Sequence, residues 1–135
     1  MRQRLAEARV ARLATLGAHG RPHLVPITFT VDGDAIFFAV DKKPKRTTDL
    51  QRVRNIVANP SVSVLVDHYD EDWSRLWWVR ADGTAKVLDH SQAAAAIDLL
   101  VSRYEQYRLA RPIGPVVAIA IQRITGWSAA ENPGR

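Results

Sequence analysis

The sequence predicts a β-rich α+β domain, a six- to seven-stranded antiparallel barrel with peripheral helices. Three observations predict it. Short stretches of alternating polar and apolar residues recur along the chain, separated by turn signals such as Gly17-Ala18-His19-Gly20-Arg21-Pro22, Asp32-Gly33 and Asp82-Gly83. Beyond a short N-terminal helix, helical patterns enter only after the third and sixth strands. Strand follows strand without crossover helices, and no glycine-rich strand-to-helix phosphate loop is present, which disfavours a parallel nucleotide-binding sheet.

Taken in order, Arg12–Leu16 and His23–Thr30 read as strands across the first turn, and Val31-Asp32-Gly33-Asp34 turns the chain into Ala35–Val40, making a three-stranded meander. Thr47 or Thr48 can cap the next helix, in which Leu50, Val53 and Val57 fall on one face while Gln51, Arg52, Arg54 and Asn55 look outward. Asn59-Pro60 ends it. Ser61–Val66 is a half-buried strand and His68-Tyr69-Asp70-Glu71-Asp72 a polar loop. Leu76–Arg80 and Thr84–Leu88 read as two strands joined across Ala81-Asp82-Gly83. Ser91 opens an alanine-rich helix to about Tyr107, with Ile97, Leu100, Val101 and Tyr104 at helical spacing and Ala93–Ala96 as a packing stripe. Arg111-Pro112-Ile113-Gly114-Pro115 breaks the chain before a last strand, Val116–Ile124, and a tail from Gly126 to Arg135.

The 135 residues, 47% of them hydrophobic, suit one domain over 1–135 that buries a core. Apolar runs such as Ala35–Val40 and Val116–Ile121 are far shorter than the ~20 residues of a membrane span, so no membrane is expected as partner. Charges scattered through Met1–Arg9 leave no apolar stretch like that of a secretory signal. With no cysteine, disulfides and thiolate metal sites are excluded, and a cytoplasmic location is the expectation.

The charge is local. Thirteen residues, Lys42 to Arg54, hold six cations against Asp49 alone, a surplus equal to the +5 of the whole chain. Such a run is often a solvated loop. Here it joins a strand end to a helix start at Thr47-Thr48, a place suited to phosphate because cations, hydroxyls and the free amides of a first helical turn converge. It does not spread along a face with stacking aromatics, so nucleic acid is not an expected partner.

Several segments, in this order and spacing, resemble the pyridoxamine-phosphate-oxidase-like split β-barrel family: Ala11–Leu16, Gly20-Arg21-Pro22-His23-Leu24-Val25-Pro26-Ile27-Thr28-Phe29, the basic turn into Thr47–Leu50, and Asn59–Val66. Asp72-Trp73-Ser74, Leu76-Trp77-Trp78-Val79-Arg80 and Ile124-Thr125-Gly126-Trp127 are most similar to its actinobacterial flavin/deazaflavin oxidoreductases, which use coenzyme F420, an 8-hydroxy-5-deazaflavin. The resemblance implies a homodimer with cofactor sites at the interface, transferring hydride between reduced F420 and an electron-poor small molecule. FMN is the alternative cofactor. A non-enzymatic binder of cofactor, haem or another tetrapyrrole is the alternative function. Carried over, Arg46 matches a phosphate-binding position flanked by Lys43 and Lys45, and Thr47 and Thr48 match hydroxyls at the helix start. His23, Val25, Pro26, Ile27 and Thr28 match the strand laid beside the ring, and Trp77, Trp78 and Arg80 the strand near the partner's cleft.

No nucleophile–base pair is recognisable, as expected where a cofactor carries the chemistry and the protein orients it. His23 is the one side chain considered for proton donation, although a histidine on an alternating strand is more often structural. His68 with Asp67, Asp70, Glu71 and Asp72 superficially resembles a metal cluster, but a mobile acidic loop rarely supplies the geometry, and no metal is expected. Trp73, Trp77 and Trp78 could wall a planar ligand; on a strand the last two point to opposite faces, one to the core and one away from it.

Overall fold

The computed structural model describes residues 1–40 and 47–131, with side chains of the second helix from Gln51 onward. Seven strands form one sheet: β1 (Ala11–Leu16), β2 (Pro22–Ile27), β3 (Thr30–Asp32), β4 (Ala35–Ala39), β5 (Ser61–His68), β6 (Trp77–Val87) and β7 (Val116–Ser128). The helices are α1 (Arg2–Glu7), α2 (Thr47–Ala58), α3 (His90–Arg103) and α4 (Glu105–Leu109). The spatial order is β2-β1-β5-β6-β7-β4-β3, and every neighbouring pair is antiparallel.

That order dictates a curled sheet. β2 and β3 lie at opposite edges, yet only Thr28 and Phe29 separate them in the chain. Three Cα–Cα steps reach at most about 11 Å, whereas six strand spacings of about 4.8 Å would hold the edges of a flat sheet about 29 Å apart. The edges must therefore meet at this corner, giving a barrel joined there and split elsewhere. Inside lie Leu13, Phe29, Ile36, Phe38, Val64, Val79 and Ile119, with Leu5 of α1 and Ile56 of α2 as plugs.

The corner is latched from the far end of the chain. The Arg103 guanidinium donates to Phe29 O at 2.6 Å and to Ala8 O, and stacks over the Phe29 ring. Tyr104 Oη accepts from Phe29 N at 3.1 Å and reaches Phe29 O at 2.8 Å and Arg9 O at 2.9 Å. Tyr107 Oη lies 2.8 Å from Thr28 Oγ1. Partial burial pushes the Arg103 guanidinium below its ordinary pKa, a cost set against these bonds.

Several expectations are corrected. His23–Thr30 is two strands rather than one, so the meander is replaced by a β1–β2 hairpin and a β3–β4 hairpin at opposite edges. Leu76–Leu88 is not a hairpin: β6 runs through Asp82-Gly83 with a register shift, pairing Asp82 with Arg123 and Gly83 with Ile121 and leaving Gln122 as the extra residue on β7. A Cβ at Gly83 would stand 2.3 Å from Ala120 O, so only glycine allows this approach. The tail is shorter than expected, because β7 continues through Gly126 and Trp127 to Ser128. The second half yields two helices, α3 starting one residue earlier under an Asp89 capping box and α4 following Tyr104, whose extended backbone lets its ring reach the corner. Of the alanine stripe only Ala96 is buried. On α2, Asn55 is buried and Val57 exposed, the reverse of expectation.

Candidate functional site

Two cavities flank the β1–β2 hairpin, one on each face. On the inner side, the turn after β1 is closed by Gly17 N donating to Arg21 O at 2.7 Å. His19 (φ 61) and Gly20 (φ 72) take left-handed backbone, a region in which histidine is among the enriched non-glycine residues. Between this turn, β2 and α2 opens a cavity of about 600 Å³, lined among others by His19, Arg21, His23, Gln51 and Asn55. His23 stands opposite Thr15 in the β1–β2 register. Thr15 Oγ1 accepts from Asn55 Nδ2 at 3.0 Å, and Asn55 Oδ1 accepts from Gln51 Nε2 at 2.7 Å. The row ends on His23, whose Nδ1 is shielded from solvent and has no partner among the described residues. As the first strand of the sheet, β2 also leaves one backbone edge open.

On the outer side, side chains from five strands share one face. The register aligns Pro26, Arg12, Leu65, Arg80 and Thr125 in one row, and Asp67, Trp78 and Trp127 in the next. Arg12, Leu65, Arg80, Asp67, Trp78 and Trp127 of these rows wall a cavity of about 630 Å³ with Leu24, Leu76 and His68 at its sides. Arg80 Nε makes an ion pair with Asp82 Oδ1 at 3.1 Å without a hydrogen bond, and that oxygen accepts from Ser63 Oγ at 2.6 Å. Arg12 has no hydrogen-bond or ion-pair partner among the described residues.

The expected site residues divide between these places. Lys43, Lys45 and Arg46 lie outside the described residues, as do the side chains of Thr47 and Thr48, whose backbone opens α2. His23 is in the inner cavity. Val25 and Ile27 turn their side chains to the core and Pro26 to the outer face, so this strand offers a ligand chiefly its backbone edge. Thr28 is engaged by Tyr107. Trp78 and Arg80 reach the outer cavity, and Trp77 borders it too while packing on the core, stacked with His68 at 6.0 Å and covered by Arg4 at 4.8 Å.

The aromatic wall is Trp78 with Trp127; Trp73 is 67% exposed on the intervening loop. Trp127 was legible, because Ile124-Thr125-Gly126-Trp127 extends the strand alternation past the expected end. In the acidic loop, Asp72 accepts from both Ser74 Oγ (2.7 Å) and Ser74 N (3.1 Å), bonds that hold its carboxyl below the usual range, and His68 Nε2 sits 3.6 Å from Asp70. No group of three or more metal-ligating side chains occurs among the described residues. None of their helices is long and apolar enough to cross a membrane.

A family model described as pyridoxamine 5'-phosphate oxidase matches residues 1–128. Among curated proteins, the 5a,11a-dehydrotetracycline/5a,11a-dehydrooxytetracycline reductase of Streptomyces rimosus is 36% identical over 56 residues, which is 42% of this chain and 38% of that protein. Among solved structures, a FAD-binding protein from Mesorhizobium loti superposes with a TM-score of 0.70 at 21% identity, over 93% of this chain and 89% of that one. The heme storage protein HutZ from Vibrio cholerae gives 0.72 at 16% identity, over 94% and 90%. These likenesses are of fold, and they span proteins described by different ligands.

Proposed function

The chain belongs to the pyridoxamine 5'-phosphate oxidase family, and from that premise we propose that it is an F420-dependent oxidoreductase acting on an electron-poor small molecule. The observation that carries this reading is the inner cavity, where an open strand edge, Gln51 and Asn55 of α2 and an Nδ1 of His23 that has no partner among the described residues come together, while in the sequence the cationic segment directly precedes that helix. These groups fit a flavin-type cofactor: polar ring edges need backbone donors and acceptors, and a phosphate needs cations at a helix start. The reductase relative lends the reading an oxidoreductase precedent.

In this reading Lys43, Lys45, Arg46, Thr47 and Thr48 hold the phosphate, and the β2 edge from His23 to Thr28 orients the ring. When bound, the cofactor supplies the hydride chemistry. The chain's own work is to bind, orient and exclude water, with His23 placed to hold a proton at Nδ1 against a ring or substrate atom. The protein is then a cytoplasmic homodimer, a second copy covering the outer face so that Trp78 and Arg80 stand beside the partner's cofactor.

F420 is favoured over FMN by charge. Its tail beyond the phosphate carries carboxylates, and cations continue past the phosphate segment to Arg21 on the cavity wall and Arg54 on α2. Titrating the protein with F420 and with FMN, followed by cofactor absorbance, tests this. F420 is expected to bind more tightly and to lose affinity more steeply with salt, since exposed cations are screened over about 10 Å at 0.1 M. Arg46→Ala should weaken either cofactor by about 1.5–3 kcal/mol. Equal salt slopes with tighter FMN binding would replace F420 by FMN, and binding without turnover of any reducible substrate would favour a non-enzymatic binder of cofactor, haem or another tetrapyrrole.

A further inference from the structure

The outer cavity carries chemistry that the cofactor reading leaves unused. Its floor is apolar, its wall is the cross-strand pair Trp78 and Trp127, and its volume of about 630 Å³ falls within the range of small-molecule sites. Such a surface accepts a flat, fused-ring body, because ring faces stack on indole at little conformational cost. Two guanidinium groups stand over that floor. Arg12 and Arg80 flank Leu65 in one cross-strand row, two strands apart and therefore about 10 Å between backbones, close enough for two long side chains to converge on one group.

Their charge is only partly answered. Arg12 has no partner among the described residues. Arg80 meets Asp82 through Nε alone, and that carboxylate oxygen is shared with the Ser63 hydroxyl. Against the two cations the cavity wall has one carboxylate, Asp67, set beside Trp78 in the neighbouring row. A cation exposed to water gains little from a distant carboxylate, but one facing a cavity with apolar walls gains from an anion brought into it.

We propose that this cavity is the substrate site and that its substrate class is the planar, fused-ring organic anion, its carboxylate or enolate oxygen taken by Arg12 and Arg80 while the ring lies against Trp78 and Trp127. The proposal rests on the cofactor reading, in which a second copy closes over this face and leaves the cavity as a cleft between the copies beside the partner's cofactor, and adds to it the recognition of charge.

The probe pair is naphthalene-2-carboxylate and its uncharged primary amide, isosteric ligands titrated at fixed ionic strength against the intrinsic fluorescence of the cavity tryptophans. The carboxylate should bind about ten-fold more tightly than the amide, the scale of one charge-assisted hydrogen bond. Arg12→Gln should bring the two affinities together by weakening the carboxylate alone, and Arg80→Gln should do so in part. Arg12 is exposed and unpartnered, so its replacement leaves folding intact, which far-ultraviolet circular dichroism checks. Equal affinities in the native protein, no binding of either probe, or a preference that survives Arg12→Gln would each overturn the proposal. So would loss of F420 or FMN affinity in Arg12→Gln with naphthoate displaced by cofactor, since the cavity would then be the cofactor's own. Failure of F420 and FMN to bind, with the naphthoate preference intact, would remove the cofactor reading and leave the anion site standing.

Discussion

Asn55 carries more of the fold than its residue type suggests. It is 3% exposed, and its amide links α2 to β1 by donating to Thr15 Oγ1 while accepting from Gln51. Removing one member of a buried pair leaves the other unsatisfied, so Asn55→Leu should cost about 1–3 kcal/mol in chemical denaturation. Thr15→Val added to it should cost less than the two single changes together, because the orphan has gone too. Strict additivity would mean that the pair is not coupled. The sequence held half of this clue. Thr15 occupies an inward position of the alternation through Leu13, and a polar group there needs a partner. The other half was invisible, since helical periodicity read from apolar residues alone puts Val57 inside, whereas it is 74% exposed.

At the scale of elements, the two Asp-Gly pairs show how far local signals reach. Asp32-Gly33 is the expected tight turn, with Gly33 at φ 58. Asp82-Gly83 is a strand interior, and the pattern that could have told them apart is the unbroken inward alternation Val79, Ala81, Gly83, Ala85. The starts of α2 and α3 were legible to within a residue because their chemistry is local, whereas that of α4 was not read. Asp89 caps α3 by accepting from Gln92 N at 2.8 Å and Ser91 Oγ at 2.9 Å, bonds that hold its carboxyl below the ordinary aspartate value of 3.8.

A folded-state pKa below the unfolded one stabilises above 3.8, and the contribution is lost as pH falls through the lower folded value. Asp89→Ala should therefore lower the melting temperature at pH 7, and the gap to the native protein should close on acidification. Asp89→Asn keeps an acceptor without titrating there, so its gap should be smaller and vary less over that range. Melting curves from pH 7 to 3 decide this. A gap for Asp89→Ala that stays constant would remove the carboxylate from the account.

At the scale of the molecule, strand number and hairpins were legible but the closure was not. Nothing in Thr28-Phe29 signals a break, since neither glycine nor proline is present; the cause is the latch of Arg103, Tyr104 and Tyr107, which arrives some 75 residues later in the chain. The cationic segment at 41–46, the part of the proposed cofactor site most legible in the sequence, lies outside the described residues. Curling the sheet buries one face and leaves the other carrying Leu24 at 67% exposure and Leu65 at 36%, beside Trp78 and Trp127. Contiguous apolar surface of this kind is uncommon on a monomer, and a two-fold pairing would place the same patch on both copies.

Sedimentation at micromolar concentration should accordingly give twice the monomer mass. Leu65→Lys, on an exposed strand position in the middle of that face, should shift the protein to monomer while leaving its circular dichroism unchanged, because a lysine there must be desolvated only in the assembly. A dimer that survives Leu65→Lys uses another surface. A native monomer that still binds F420 or FMN would show that the cofactor site needs no second copy, and Trp78 and Arg80 would then serve only the cavity of their own chain.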